Sequence, residues 1–237
     1  MTNSILAICL LVMKTKSLTR TGLLHATLLG IGLWSTIGFS GWLYCVAYFV
    51  LGSRVTKVKM KEKVMLSIAE KREGARGPEN VWGSAAIAML CALMSYITSD
   101  EHGKVLYKLA YVSSISTKLS DTFGSEIGKA YGKNCYLVTN LKKVPRGTEG
   151  AVSIEGTVAG IVGSFIMATM GQYLGLINGA KQFISVVIAS FVATTIESII
   201  GASFQQGQYE WLTNELVNLI NTLIGALIGV LLQSVIL

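Results

Sequence analysis

Apolar runs long enough to cross a bilayer, cut apart by blocks of charge, leave this chain of 237 residues few ways to fold. Hydrocarbon offers backbone amides no hydrogen-bond partner, so a spanning segment must be a helix or part of a closed barrel. The runs are continuous rather than alternating, which selects helices. Eight spans are predicted, at 3–13, 21–37, 40–55, 82–99, 104–128, 153–176, 180–203 and 212–236. The first and third fall short of the ~20 residues of a perpendicular crossing. The expected architecture is therefore an all-α polytopic bundle of seven or eight spans, one integral-membrane domain over 1–237. Composition agrees, because only 14% of residues are charged, against about 25% in soluble domains.

On this threading the loops at 14–20, 54–81, 129–152 and 204–211 share one side of the membrane. They carry sixteen of the 20 Lys and Arg; Lys104, Lys108 and Lys181 lie on the other side, and Lys118 lies inside a span. The positive-inside rule makes the basic side cytoplasmic or stromal and puts both termini opposite. In so apolar a chain, the net charge of +7 points to anionic lipid or phosphate contacts rather than to nucleic acid. The segment 61–71 reads as an amphipathic interfacial helix. Cys9, Cys45, Cys91 and Cys135 have neither zinc-ligand spacing nor a disulfide pattern. The apolar stretch 5–13 has no basic residue ahead of it and makes a poor signal peptide. No Arg/Ser-rich transit segment is visible, so a prokaryotic, organelle-encoded or trimmed chain is expected.

Charged groups inside spans need a reason, since each costs at least ~2.5 kcal/mol at mid-membrane. The fifth span holds Lys118, Asp121, Thr122, Ser125 and Glu126. Spacings of three and four put the first four on one helix face. A structural Lys118–Asp121 pair explains part of this; an intramembrane site explains more. The segment continues into Gly124, Gly128 and Gly132, with Lys129 and Lys133, a glycine every fourth residue that bares one side of a helix end. The Walker spacing is absent. The next loop carries Lys142, Lys143 and Arg146 around Pro145, then Gly147, Thr148 and Gly150. Glycines there let amides turn toward an anion, and a helix starting near Ser153 would aim its positive end at it. Glu149 and Glu155 add the oxygen ligands that Mg²⁺ needs beside phosphate. Arg76 and Asn80 stand just before the fourth span, at head-group level. Glu197 lies in the seventh span, and Asn214, Asn218, Asn221 and Gly225 form a polar stripe on the eighth. Gly156, Gly160 and Gly163 are spaced for close helix packing.

Four segments carry a resemblance: AEKREGARGPENVWGSA (69–85), SDTFGSEIGKAYGK (120–133), VPRGTEGAVSIEGTVAG (144–160) and ESIIGASFQ (197–205), with the closing WLTNELVNLIN (211–221). In this order they resemble the phytyl-phosphate kinases of plastids and cyanobacteria, enzymes of tocopherol and phylloquinone synthesis. More distantly, the Asp-then-Gly-Lys pattern followed by GTEG is similar to dolichol kinase, phytol kinase and CDP-diacylglycerol synthase. The resemblance implies transfer of a phosphoryl group from a nucleoside triphosphate, CTP as the expected donor, to phytyl monophosphate. The expected setting is a cyanobacterial membrane or a plastid envelope or thylakoid.

On that reading Asp121, with Glu126 and Glu155, is expected to hold Mg²⁺. Lys118, Lys133, Lys142, Lys143 and Arg146 would neutralise the triphosphate and the transition state. Gly128, Gly132, Gly147, Thr148, Asn80 and Ser125 would complete the phosphate site, and Arg76 would grip the acceptor phosphate. An apolar cleft walled by the sixth and eighth spans would take the C20 chain, with Glu197, Asn214, Asn218 and Asn221 lining it. A related lipid-alcohol kinase or cytidylyltransferase also fits, as does a transporter. Against the transporter stand the missing inverted repeat and the gathering of polar residues at one face.

Overall fold

The computed structural model describes residues 17–204 and 211–236. The predicted first span, and most of the loop before the last one, fall outside them. The described helices are α1 (Arg20–Thr56), α2 (Met60–Met65), α3 (Pro78–Ile97), α4 (Glu101–Tyr131), α5 (Ile154–Tyr173), α6 (Gly179–Phe204) and α7 (Asn214–Ile236), with a 3₁₀ turn at Lys71–Gly74. Their starts follow local chemistry. Side-chain oxygens of Thr19, Asp100 and Ser153 accept first-turn amides of α1, α4 and α5. Pro78 opens α3, where its missing N–H costs nothing.

The helix α1 is two limbs. Gly38 breaks it at φ 75°, ψ −167°, a conformation that suits a residue without Cβ. Residues twelve apart in a straight helix lie about 18 Å apart, yet a Cβ on Gly30 would sit 3.3 Å from Trp42 Nε1. The chain therefore doubles back, and both ends of the hairpin reach Arg76, at Gly22 and at Gly52. The break falls between the predicted spans 21–37 and 40–55. Five described helices, α1, α3, α5, α6 and α7, are long and apolar enough to cross a membrane. Their outer faces expose Leu28, Leu90, Phe165, Ile188 and Leu227, as a lipid-facing surface requires.

The helix α4 is different. It is rich in Ser and Thr, yet every residue from Leu109 to Ser120 is buried. The long helices surround it, so its polar side chains face protein rather than lipid. Two rows of glycine permit this. On α5, a Cβ at Gly156 would lie 2.6 Å from the Gly124 carbonyl oxygen, and one at Gly160 would lie 3.1 Å from that of Ser120. On α7, a Cβ at Gly225 or Gly229 would strike the hydroxyls of Thr117 or Ser113, at 2.1 and 2.2 Å. Small residues at such contacts let backbones approach without a hydrophobic drive between helices.

Two features depart from the sequence reading. The loop after α4 folds into a small antiparallel sheet of β1 (Cys135–Leu137), β2 (Lys143–Val144) and β3 (Ala151–Val152), in the order β2-β1-β3. Cys135 pairs with Val144, and Tyr136 with Val152. Strands of two or three residues are too short to show alternation. The expected interfacial helix over 61–71 shrinks to Met60–Met65 and is tied inward by Lys63, which is only 1% exposed.

Candidate functional site

The 57–77 segment, the 132–153 loop and the facing ends of α6 and α7 gather at one end of the bundle. Between them lies a cavity of about 580 Å³. The helix α4 supplies its floor, with Lys118, Asp121, Thr122, Ser125 and Lys129 one or two turns apart on a single face. Lys118 donates to the Asp121 carboxylate and, at 2.6 Å, to Asn218 Oδ1 of α7. From α6, the Glu197 carboxyl meets that of Asp121 within hydrogen-bonding reach. Two carboxyl groups this close need a proton or a cation between them.

Arg76 enters from the segment before α3. Its Nη1 donates to Tyr48 Oη at 3.0 Å, and its guanidinium lies over the rings of Tyr48 and Phe49. It has no carboxylate within ion-pair distance among the described residues. Its backbone is fixed, with N–H to Ser17 O and C=O from Thr19 N–H, each at 3.0 Å. Lys129 pairs with Glu70 at 3.2 Å. Burial alone would raise the Glu70 carboxyl, but Lys129 and Lys118 outweigh it and hold it below the ordinary range.

The loop that carries Gly147, Thr148, Glu149 and Gly150 closes one wall. Both glycines have positive φ, 84° and 72°. A Cβ on Gly150 would lie 2.1 Å from Ala202 N, and one on Gly147 would lie 2.5 Å from Ile68. Glycine is required here by conformation and by space.

Of the residues singled out from sequence, Lys118, Asp121, Ser125, Glu126, Gly128, Arg76, Asn80, Gly147, Thr148, Glu197, Asn214 and Asn218 line this one cavity. Others do not. Lys133, Lys142 and Lys143 are exposed outside it, and Lys143 Nζ binds Asn134 Oδ1 at 2.8 Å. Arg146 points away, pairing with Glu62 and donating to Ala130 O at 3.3 Å. Gly132 closes the end of α4, and Asn221 lies buried below the cavity. Asn80 spans to α7, its Nδ2 donating to Glu215 Oε1 at 3.2 Å.

The carboxylate set Asp121, Glu126 and Glu155 is not brought together. Glu126 is taken up by Lys63, with Lys129 at 3.8 Å. Glu155 lies outside the cavity, and its Oε1 accepts the Lys133 N–H at 3.4 Å. No cluster of three or more His, Cys, Asp or Glu stands ready for a metal among the described residues. What does face Asp121 is Glu197, and Mg²⁺ is commonly held by one or two carboxylates with phosphate oxygens and water filling the rest. The pair fits that ion; the expected trio does not. Sequence reasoning also passed over Lys71 and Glu70, which line the cavity, and Lys63, which seals its base. Nothing local distinguishes these from the other charges of the 54–81 stretch.

Fold and site together define a polytopic membrane protein with a charged cavity at one end of its helix bundle. The chain belongs to the family described as Integral membrane protein DUF92, whose model matches residues 3–226. It is 49% identical over 232 residues to an uncharacterized membrane protein of Synechocystis, covering 98% of this chain and 89% of that one. It is 48% identical over 222 residues to the chloroplast protein VTE6 of Arabidopsis thaliana, covering 93% of this chain and 66% of that one. An uncharacterized membrane protein of Methanocaldococcus jannaschii is 32% identical over 232 residues, covering 97% and 92%. No solved structure matches.

Proposed function

We propose that this protein transfers a phosphoryl group from a nucleoside triphosphate, CTP, to phytyl monophosphate, giving phytyl diphosphate for tocopherol and phylloquinone synthesis in a cyanobacterial or plastid membrane. One observation carries the reading. The four segments that resemble phytyl-phosphate kinases lie far apart in sequence, and each contributes to the wall of the same cavity: Arg76 and Asn80, Asp121 and Ser125, Gly147 and Gly156, Glu197 and Gly201. Similarity to a chloroplast protein and a cyanobacterial one agrees with the setting.

An oxygen of the acceptor phosphate attacks the donor's γ-phosphorus, the bond to the β–γ bridging oxygen breaks, and the nucleoside diphosphate leaves. The acceptor is already ionised, so no strong base is needed. Positioning and charge neutralisation do the work. Arg76 is paired with no carboxylate among the described residues and meets the acceptor phosphate. Lys118, held by Asp121 and Asn218, lies where charge on the transferred group is to be offset. Lys129 and Lys71 extend the positive field toward the donor. Mg²⁺ held by Asp121 and Glu197 would supply the remaining neutralisation.

The test is product analysis with purified protein, labelled CTP or ATP, and phytol or phytyl monophosphate as acceptor. Phytyl diphosphate formed only from the monophosphate is expected. Asp121→Asn should lower the rate by about a hundredfold or more. Activity within a few-fold of wild type would remove Asp121 from the site. Phosphorylation of phytol, or release of a cytidylylated lipid, would replace the proposed reaction.

A further inference from the structure

A second cavity, of about 460 Å³, runs between the two limbs of α1 and the start of α3. Its walls are apolar, with Leu23, Ala26, Leu29 and Leu33 from the first limb and Trp42, Val46 and Phe49 from the second. It meets the charged cavity at Tyr48, Arg76, Asn80 and Ser84, which line both. The far end carries an aromatic cluster, with Trp34 and Trp42 ring centroids 5.4 Å apart and Phe39 behind them at 5.6 and 5.9 Å. Thr19, at the level of Arg76, and the Gly30–Trp34 turn where Trp42 crosses are separated by about 20 Å of helix. Ile31, at the outer lip, is 59% exposed on the lipid-facing side.

We infer that this groove holds the hydrocarbon chain of an isoprenoid monophosphate, that Arg76 holds its phosphate at the mouth of the charged cavity, and that Trp34 and Trp42 limit the chain length admitted. The length suits a C20 chain. Arg76, the one charged residue among the described residues that line the groove, stands where the groove opens into the polar chamber and matches an amphiphile with one anionic head. A neutral lipid or a second protein helix would leave Arg76 without a counter-charge. The expected cleft between the sixth and eighth spans is replaced by one at the α1 hairpin. There the chain can enter sideways from the bilayer without passing the polar loops.

This assignment rests on the proposed acceptor class but not on catalysis, so it is tested without nucleotide. Binding of geranyl, farnesyl and phytyl monophosphates, and of phytol, is measured by native mass spectrometry on the detergent-purified protein. Wild type should bind more tightly as the chain lengthens to C20, and should favour phytyl monophosphate over phytol. Val46→Phe, which fills the groove midway, should weaken the C20 ligand by about tenfold or more and leave geranyl monophosphate within about twofold. Arg76→Gln should abolish the preference for phosphate over alcohol at every length. Trp42→Ala, which opens the far end, gives a second reading and should admit a C25 isoprenyl monophosphate, added to the same panel, that wild type excludes. An unchanged length profile in both Val46→Phe and Trp42→Ala would overturn the groove assignment, whatever the kinase assay gives. A shifted profile with no phosphoryl transfer would keep the groove and discard the reaction.

Discussion

Two carboxylates of α4, Asp121 and Glu126, stand little more than a turn apart, each paired with a lysine, and their surroundings make the pairs opposites. Lys63–Glu126 is sealed, with both side chains 1% exposed and the ammonium also donating to Thr56 O at 2.6 Å. Lys118–Asp121 borders the cavity, with side chains 9% and 11% exposed, and each partner has a further polar neighbour, Asn218 or Glu197. The first pair is committed to the fold, pinning the segment after α1 to the core. The second can exchange its neighbours for a ligand. From sequence alone Glu126 and Asp121 read as equals; the difference lies in what reaches them from distant segments.

That contrast can be broken by substitution. Lys63→Ala leaves Glu126 buried without its closest counter-charge and should cost about 3–5 kcal/mol, seen as a large fall in Tm in detergent. Replacing both partners, Lys63→Met with Glu126→Leu, should recover most of that stability. If the double variant stays as unstable as the single one, Glu126 has a role beyond the pair. Asp121→Asn should lower activity steeply while shifting Tm far less than Lys63→Ala, because water in the cavity can solvate what is left. Equal losses of stability would erase the distinction between the two pairs. Lys142→Ala combined with Lys143→Ala removes two exposed charges outside the cavity and should change the rate by less than about twofold. A larger loss would bring the β2 strand into the donor site.

The smallest effect concerns the clasp between Glu62 and Arg146. The hydrogen bond from Arg146, with help from Lys59, holds the Glu62 carboxyl below its ordinary range. A lowered folded-state pKa stabilises above the unfolded value and is lost as pH falls through the folded one. Proteolysis of the 57–77 segment should therefore be flat near neutrality and rise below about pH 4. Glu62→Gln should show the fast rate at all pH values.

Much of the scaffold is readable along the chain because its signals are local. Apolar runs mark α3, α5, α6 and α7, and Gly38 separates two runs that the structure folds into the limbs of α1. Spacing alone puts Lys118, Asp121, Thr122 and Ser125 on one face, and Asn214 and Asn218 on another; the structure turns both toward the same cavity. The glycines of α5 and α7 have close contacts with α4 where packing was expected at Gly156 and Gly160. Other features have no local mark. Lys63 is one basic residue in a stretch of eight, and its burial depends on where α4 places Glu126. Lys142 and Lys143 stand just ahead of the 144–160 motif, yet both are exposed outside the cavity, Lys143 on β2.

By itself, then, the sequence determined a membrane-spanning helical bundle and one face of α4 rich in polar groups, because helix periodicity and bilayer solvation act on neighbours along the chain. The tertiary structure decided which acids and bases meet. It set Glu197 rather than Glu126 or Glu155 against Asp121, left Arg76 without an acid among the described residues, and put the apolar groove at the α1 hairpin. Charges separated by many tens of residues find partners only through packing, and at these distances each carboxylate's surroundings, not its identity, fix what it can bind.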